Sequence, residues 1–176
     1  SDNHDVERLP NKLRNRAHIR HVAILVYTLW GIPSIYYGSE FGIEGKKEWG
    51  SDWPLRPCLD LADFENAIRE NSVTSVYAAL GRLKATEPAL TEGRPQELLL
   101  TTERYAFARV WEGRALVTVL NNADAPARLE LPLPVPAGQA EDLLADCAGS
   151  QDVNARVENG RLIVELPGNY GTVLGL

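Results

Sequence analysis

Apolar residues recur at helical spacing in two stretches of the first half of the chain. Residues Arg14–Trp30 predict one helix, since apolar positions repeat every three or four residues; these positions are Ala17, Val22, Leu25, Val26 and Leu29. A similar pattern over Ser72–Thr86 predicts a second helix. Asn71 or Ser72 can serve as its N-cap, and Pro88 prevents its continuation.

The apolar run Ile32–Tyr37 predicts a short strand that is buried on both faces. Gly31 and Pro33 separate this run from the preceding helix. The whole segment Val22–Tyr37 is apolar, but it is shorter than the roughly 20 residues that a spanning helix requires. We therefore expect two buried elements and no membrane contact. Because only one such strand is evident, its sheet partners must lie elsewhere.

Residues Phe41–Asn71 show no periodicity and predict a long loop, a feature that is commonly functional in compact domains. Trp49 and Trp53 argue for order in this loop. Their aromatic faces could stack on sugars, and packing within the loop is an equal alternative.

The period changes to two in the second half of the chain. Asn159-Gly160, placed between two alternating runs, is the strongest local signal and predicts a tight hairpin turn. Glu112–Arg114 predicts another turn. The predicted strands are Arg104–Trp111, Ala115–Asn122, Ala127–Leu133 at a sheet edge, the two runs that flank Asn159-Gly160, and Thr172–Leu176. Five to seven short strands without intervening helices predict an antiparallel β-sandwich.

Two regions therefore follow each other along the chain. Residues 1–92 combine helices, one strand and a loop as an incomplete α/β architecture, and residues 93–176 form the antiparallel sheet. We place the boundary within Thr91–Gln96. In an α/β barrel, catalytic residues lie on the loops that follow the strands, which directs attention to the polar segment at the start of the chain.

Composition excludes several classes of protein. The 176 residues are 44% hydrophobic and 24% charged, which is typical of a folded globular protein. A net charge of −6 and the lack of a basic stripe argue against nucleic-acid binding. Cys58 and Cys147 indicate no disulfide framework, although one optional bridge stays open. The low cysteine count and the lack of a visible signal peptide slightly favour the cytoplasm. His18 and His21 lack the further ligands that a metal site needs.

Two segments of the chain form distinctive motifs, NHDVER at Asn3–Arg8 and GIPSIYYGSEFG at Gly31–Gly42. They resemble motifs of the α-amylase family of glycoside hydrolases. In that family an NHD-x-x-R segment follows strand seven of a (β/α)8 barrel, and a G-x-P-x-IYYG-x-E-x-G segment crosses strand eight. SDWPLRP, Ser51–Pro57, resembles the Arg-x-Pro segment in the loop after strand eight. A helix and an antiparallel β-sandwich called domain C follow in the same order as here.

The resemblance covers essentially the whole chain and implies its fold class. That class is an α+β fragment, in which the last helix-strand-helix portion of a (β/α)8 barrel precedes domain C. It also implies an α-glucan or malto-oligosaccharide substrate, no cofactor, and a calcium ion only as a common feature of the family. We find no cluster of oxygen ligands for calcium in these residues.

The resemblance assigns roles to three residues. Asp5 matches the carboxylate that binds sugar hydroxyls at the cleavage point and stabilises the oxocarbenium-like transition state of a retaining glycosidase. His4 would donate a hydrogen bond to the same sugar. Arg8 would hold the anions of the site in place or reach the neighbouring subsite. Glu40, within the second motif, is expected to be structural.

The family's nucleophile and its general acid/base lie after barrel strands four and five, before the position that matches Ser1. We therefore expect the 176-residue chain to be a truncated chain or proteolytic remnant that is catalytically inert by itself. Two other functions compete with this interpretation. One is a non-catalytic carbohydrate-binding or interaction module formed by the β region. The other is a metal-dependent phosphohydrolase with a His-Asp doublet, a class of all-helical proteins that the β-rich region contradicts.

Overall fold

Two antiparallel sheets form the second half of the structure, a computed structural model that describes residues 1–176. The larger sheet has the strand order β1-β2-β3-β8-β5 and the smaller one β4-β7-β6. The strands are β1 Arg94–Leu100, β2 Arg104–Trp111, β3 Arg114–Asn121, β4 Ala127–Pro132, β5 Glu141–Asp142, β6 Asn154–Glu158, β7 Arg161–Leu166 and β8 Tyr170–Gly175. The predicted pair of antiparallel sheets is confirmed.

Five helices precede the strands. They are α1 Leu9–Lys12, α2 His18–Thr28, α3 Ala67–Glu70, α4 Ser72–Thr86 and α5 Pro88–Thr91. The predicted loop Phe41–Asn71 contains α3 and two short 3₁₀ turns, Trp53–Leu55 and Leu61–Phe64, and a third turn, Ser39–Phe41, leads into it. None of the helices is long and apolar enough to cross a membrane.

Strand β3 is buried on both faces and joins two hydrophobic cores. Leu116 and Leu120 pack against α2 and α4 in one core, together with Val173 of β8. Val117 and Val119 point to the opposite face, where they pack against the smaller sheet. Because successive side chains of a strand alternate between its faces, one strand supplies both cores. The larger sheet is therefore covered by helices on one side and by a sheet on the other.

The hairpin turns have the backbone that their sequences predict. Asn159 and Gly160 both adopt positive φ angles, 50° and 73°, between β6 and β7. Glu112 and Gly113 do the same between β2 and β3, with φ angles of 46° and 83°. Two consecutive positive φ angles match the right-handed twist of the flanking strands, so these short turns fix the register of both hairpins.

Helix α4 begins and ends where the sequence predicts, and Asn71 is its N-cap. The Asn71 side-chain oxygen accepts hydrogen bonds from the backbone N–H groups of Val73 and Thr74. Helix α2 is shorter than predicted. It begins at His18, because residues 14–17 form turns in which the Asn15 side chain accepts from Ala17 N.

The predicted buried strand Ile32–Tyr37 is not formed in this structure, so this prediction is not confirmed. The segment forms no ladder with any other strand, and 94% of the Ile32 surface is exposed. A strand needs a neighbour to pair its backbone groups, and no other part of the chain lies beside this segment as a strand. The barrel-end helix-strand-helix arrangement is therefore not formed within these residues.

Strand β1 was not predicted from the sequence. It lies at the edge of the larger sheet and contains Pro95, and proline within a run argues against a central strand but is tolerated at an edge. Strand β1 begins at Arg94, directly after the expected boundary. The helices nevertheless share one hydrophobic core with β3, so a domain boundary at residues 92/93 stays a prediction.

Cys58 is exposed, Cys147 is buried, and both are free thiols.

Helix α2 is held to the larger sheet by a buried histidine and a buried arginine. His21 Nε2 lies 3.1 Å from the Asn121 carbonyl oxygen. Arg109 of β2 donates from Nη1 to the Thr28 carbonyl at 3.0 Å and from Nε to the Gly93 carbonyl at 3.1 Å. Burial lowers the pKa of His21 below its usual 6.5, with the neighbouring His18 and Arg20 contributing to the shift.

We expect the stability of the protein to decrease in acid because of His21. Its folded-state pKa lies below the unfolded value of 6.5, so the unfolded state binds more protons as the pH falls. The free energy of unfolding should be highest above pH 6.5 and should fall through the folded pKa. Urea unfolding at pH values from 8 to 5 measures this, and His21→Gln, which keeps a donor for Asn121, should flatten the profile. His4→Gln, at an exposed position, is the matched control; equal slopes in all three proteins would contradict the assignment.

Candidate functional site

The first eight residues form a looped segment that is fixed by side-chain contacts. Asp2 accepts hydrogen bonds from the Ser39 hydroxyl at 3.0 Å and from Leu9 N at 3.2 Å. Asn3 accepts from Asp5 N at 2.8 Å, which makes a tight local turn. These contacts place His4 and Asp5 at the outer edge of the segment, where both are exposed.

Asp5 lies in a small charged cluster with His4 and Arg56. One carboxylate oxygen is 3.0 Å from His4 Nε2, and the other accepts from Arg56 Nη2 at 3.2 Å. Arg56 Nε also donates to the His4 carbonyl at 3.1 Å. The guanidinium therefore holds both the backbone and the carboxylate of this segment. Because 59% of the surface of each of the His4 and Asp5 side chains is exposed, the carboxylate can still accept hydrogen bonds from a ligand.

A second carboxylate lies beside the first. Asp52 accepts from the same Arg56 Nη2 at 3.3 Å and pairs with Lys47 Nζ at 3.2 Å. Lys47 in turn donates to the Asp5 carbonyl at 3.3 Å. The loop of residues 47–56 thus contacts Asp5 through two cations, Lys47 and Arg56. The Asp5 and Asp52 carboxylates share the Arg56 guanidinium.

Arg8 is fully buried at 0% exposure and contacts backbone. Its Nη1 donates to the Tyr37 carbonyl at 2.6 Å, and its Nη2 donates to the Leu55 carbonyl at 2.8 Å. The guanidinium lies over the rings of Tyr36 and Tyr37, 4.2 Å and 5.1 Å from their centroids. Arg8 therefore joins the first segment to the YYG segment, Tyr36–Gly38, and to the loop that carries Arg56.

Gly45 allows this junction to close. Its backbone N–H donates to the Asn11 side chain, and its carbonyl accepts from Arg8 N at 2.9 Å. A Cβ atom at this position would lie 2.5 Å from the Pro54 carbonyl oxygen and 2.8 Å from Arg8 Cγ. Only glycine permits so close an approach of two loop backbones.

Glu40 shares a pocket with Tyr27, Tyr37 and the buried Tyr77. Its Oε2 and the Tyr77 hydroxyl are buried without a hydrogen-bond partner. Burial, with contributions from nearby Asp2, Tyr27 and Glu40, raises the pKa of Tyr77 well above its usual value. Burial also raises the pKa of Tyr27, and Glu40 adds to that shift. The Glu40 side chain forms no hydrogen bond or ion pair with His4, Asp5 or Arg56, and its structural role stays a prediction.

The structure brings two of the three predicted site residues together. His4 and Asp5 form one cluster, and Arg8 lies beneath it, facing carbonyl groups instead of solvent. Contact of any of the three with a sugar stays a prediction. Arg56 was recognised only as part of a motif, and its ion pair with Asp5 joins residues 51 positions apart, so no local pattern could indicate it.

The cluster is suited to binding hydroxyl groups. An ionised carboxylate only accepts hydrogen bonds, and the imidazole of His4 can donate or accept. The structure contains no group of three or more His, Cys, Asp or Glu side chains that could hold a metal ion. A negative charge fixed by preorganised cations also stabilises positive charge that develops nearby.

Comparison with known proteins gives relatives over most of the chain, although no protein-family model matches it. A cyclomaltodextrin glucanotransferase from Bacillus sp. (strain 17-1) is 28% identical over 145 residues, 81% of this chain and 19% of the relative. Neopullulanase 2 from Thermoactinomyces vulgaris is 27% identical over 176 residues, 98% of this chain and 28% of the relative. The chain therefore spans less than a third of the length of these relatives.

The fold is also found in solved structures. The crystal structure of CldA, a cyclomaltodextrin glucanotransferase with a three-domain ABC distribution, has a TM-score of 0.80 at 22% identity and covers 99% of this chain and 35% of that one. These relatives and neighbours are enzymes of the α-amylase family, so the recognition made from the motifs is confirmed. The chain is similar to the C-terminal part of such enzymes, with a few helices followed by antiparallel sheets.

Arg8→Met tests the buried junction. The substitution keeps the aliphatic stem of the side chain. It removes the charged donor groups, so the Tyr37 and Leu55 carbonyls lose their hydrogen bonds to Arg8. We expect the free energy of unfolding to fall by about 3 kcal/mol, measured by urea denaturation. Arg14→Met, at an exposed arginine, is the matched control; an equal effect of the two substitutions would contradict the role of Arg8.

Proposed function

We propose that this polypeptide forms the C-terminal part of a retaining α-glucoside hydrolase of the α-amylase family, of the α-amylase or maltodextrin-acting type. The observation that carries the proposal is the exposed Asp5 carboxylate, held between His4 and Arg56 within the NHD motif. The similarity to glucanotransferases and a neopullulanase supports an α-glucan or malto-oligosaccharide as the substrate. Whether the whole enzyme hydrolyses or transfers glucosyl units depends on residues outside this part.

Asp5 would act on the transition state. Its carboxylate would accept hydrogen bonds from hydroxyls of the sugar at the cleavage point, and these bonds would strengthen as positive charge develops on the ring. His4 would donate to the same sugar. Arg56 keeps the carboxylate in one orientation through two contacts, one to each of residues 4 and 5, so the geometry needs little reorganisation on binding.

Arg8 would position the residues of this site without contacting the sugar itself. Because its guanidinium is engaged with two carbonyls, it positions the NHD segment against the loop that carries Arg56. Direct contact with a neighbouring sugar would require these bonds to open.

Trp49 and Trp53 extend the proposed site toward the solvent. Their exposures are 104% and 77%, and they belong to the loop in which Lys47 and Arg56 contact residue 5. An exposed indole beside hydroxyl-binding groups is suited to stacking on the apolar face of a glucose ring. Packing within this loop, the alternative for both residues, agrees less well with such exposure.

We expect the 176-residue chain to show no turnover of maltodextrin by itself. A retaining glycosidase requires a nucleophile and an acid/base at a separation of about 5–5.5 Å, and the family positions of both lie outside the residues matched here. The two neighbouring carboxylates, Asp5 and Asp52, are both paired with Arg56, and neither is free to act as the acid. Release of reducing sugar, absent from an Asp5→Asn preparation, would contradict this expectation.

Binding of maltoheptaose tests the site independently of turnover. In NMR titrations the sugar should shift the amide signals of His4, Asp5 and Arg56 together with the indole signal of Trp49. Asp5→Asn should weaken this binding about tenfold, because an ionised acceptor is lost. Asp63→Asn, at an exposed carboxylate outside the cluster, is the matched control and should bind as the unmodified chain does. Shifts confined to residues 93–176 would instead support a carbohydrate-binding β-module.

A further inference from the structure

A groove of about 490 Å³ lies beside the unpaired Ile32–Tyr37 segment, and no residue of the Asp5 cluster lines it. Its walls come from this segment and from α2, α3 and α4. The side chains that line it are mostly apolar or aromatic, namely Tyr27, Ile35, Tyr37, Ile68, Tyr77 and Ala78. Tyr37 and Ile68 keep 41% and 57% of their surface exposed. The chain therefore leaves an apolar groove uncovered.

Glu40 is the one charged residue that lines the groove. Its Oε2 is buried without a hydrogen-bond partner. The other oxygen, Oε1, is not buried in this way, so it can accept a hydrogen bond from a group in the groove. The Thr74 hydroxyl donates to the Glu40 carbonyl at 2.8 Å, which holds the backbone of Glu40 without neutralising its carboxylate. A partly buried carboxylate that has no cation beside it destabilises the structure.

The groove itself supplies no cation for Glu40. No lysine, arginine or histidine lines it. Arg8 lies 5.1 Å from the centroid of the Tyr37 ring, but it is fully buried and donates to two backbone carbonyls. The charge near Tyr77 is negative, since Asp2 and Glu40 both contribute to the raised pKa of this tyrosine. The electrostatics of the groove thus favour a positive group from outside the chain.

The backbone beside the groove is also unpaired. No peptide group of residues 32–35 takes part in a hydrogen bond between backbone groups, and Ile32 is 94% exposed. Backbone donors and acceptors in an extended segment are matched by another extended polypeptide, which adds a strand at the open edge. A sugar or a small ion would leave most of these groups without a protein partner. The backbone therefore indicates a polypeptide as the occupant, and Glu40 indicates a basic side chain on it.

We propose that this groove receives an extended segment from the remainder of the enzyme, and that an arginine of this segment pairs with Glu40. The inference rests on the proposed function, in which the chain is one part of a longer enzyme. The segment would pair with the backbone of residues 32–35 and would pack apolar side chains on Ile35 and Tyr37. An arginine suits the groove better than a lysine, because a guanidinium can bind the carboxylate and also stack on the tyrosine rings.

A short basic peptide is the probe for the unmodified chain. The acetylated and amidated pentapeptide TVRVT supplies a strand with one central arginine, and TVQVT is its neutral counterpart. In NMR titrations TVRVT should shift the amide signals of Ile32, Ile35 and Glu40 along a saturable curve, and it should bind about tenfold more tightly than TVQVT. Equal affinity of the two peptides, or shifts confined to other residues, would overturn the proposal. N-acetylarginine amide that binds as tightly as TVRVT would indicate a site for a free cation and would contradict a polypeptide occupant.

Glu40→Gln locates the charge that the peptide recognises. The substitution keeps the shape of the side chain and removes its charge, so TVRVT and TVQVT should bind to this variant with equal affinity. Glu97→Gln, at an exposed glutamate of β1, is the matched control and should keep the preference for TVRVT. If Glu40→Gln does not fold, the peptide TVEVT decides the question on the unmodified chain. It should bind more weakly than TVQVT, and equal binding of these two peptides would contradict the assignment.

Two further measurements separate the proposal from its alternatives. Sedimentation of the unmodified chain should show a monomer; a dimer that Glu40→Gln dissociates would assign the groove to a second copy and would contradict the proposal. The maltoheptaose titration reports on the Asp5 cluster independently. Peptide binding without sugar binding would support the groove and reject the sugar site, and sugar binding without peptide binding would reject the groove alone.

Discussion

The structure depends on the burial of β3 on both faces. A strand that is covered by helices on one side and by a second sheet on the other must be largely apolar, and β3 meets this requirement at Ala115–Val117, Val119 and Leu120. Leu116 and Leu120 pack in the core on the helical side, while Val117 and Val119 pack in the core between the two sheets. Because each core contains alternate residues of the same strand, a change in the register of β3 would disrupt both at once.

Buried arginines hold the irregular segments to this framework through backbone carbonyls. Arg8 binds two loop carbonyls, Arg109 joins the end of α2 to the residue before β1, and Arg20 reaches the beginning of β8. Loop carbonyls have no ladder partner, so a long side chain with five donors can satisfy several of them at once. Each of these three arginines also keeps one buried nitrogen without a hydrogen-bond partner, so the carbonyls use only part of each guanidinium.

The same arrangement explains how the Asp5 cluster is supported. Arg8 fixes the backbone of the NHD segment from the buried side, and Arg56 fixes its carboxylate from the exposed side. The close approach at Gly45 allows the two loops to meet. In the proposed function, a sugar would meet an acceptor that is already oriented before binding.

The sequence by itself determined the elements whose signals are local. The cap at Asn71, the turn at Asn159-Gly160 and the family motifs could all be recognised because each depends on residues close together in the chain. Tertiary structure decided the rest. Ile32–Tyr37 has the composition of a buried strand, yet it forms none, because pairing requires a neighbouring strand that this chain does not supply. The Asp5–Arg56 pair likewise joins residues distant in sequence, and only the junction of the two loops around Arg8 and Gly45 brings them together.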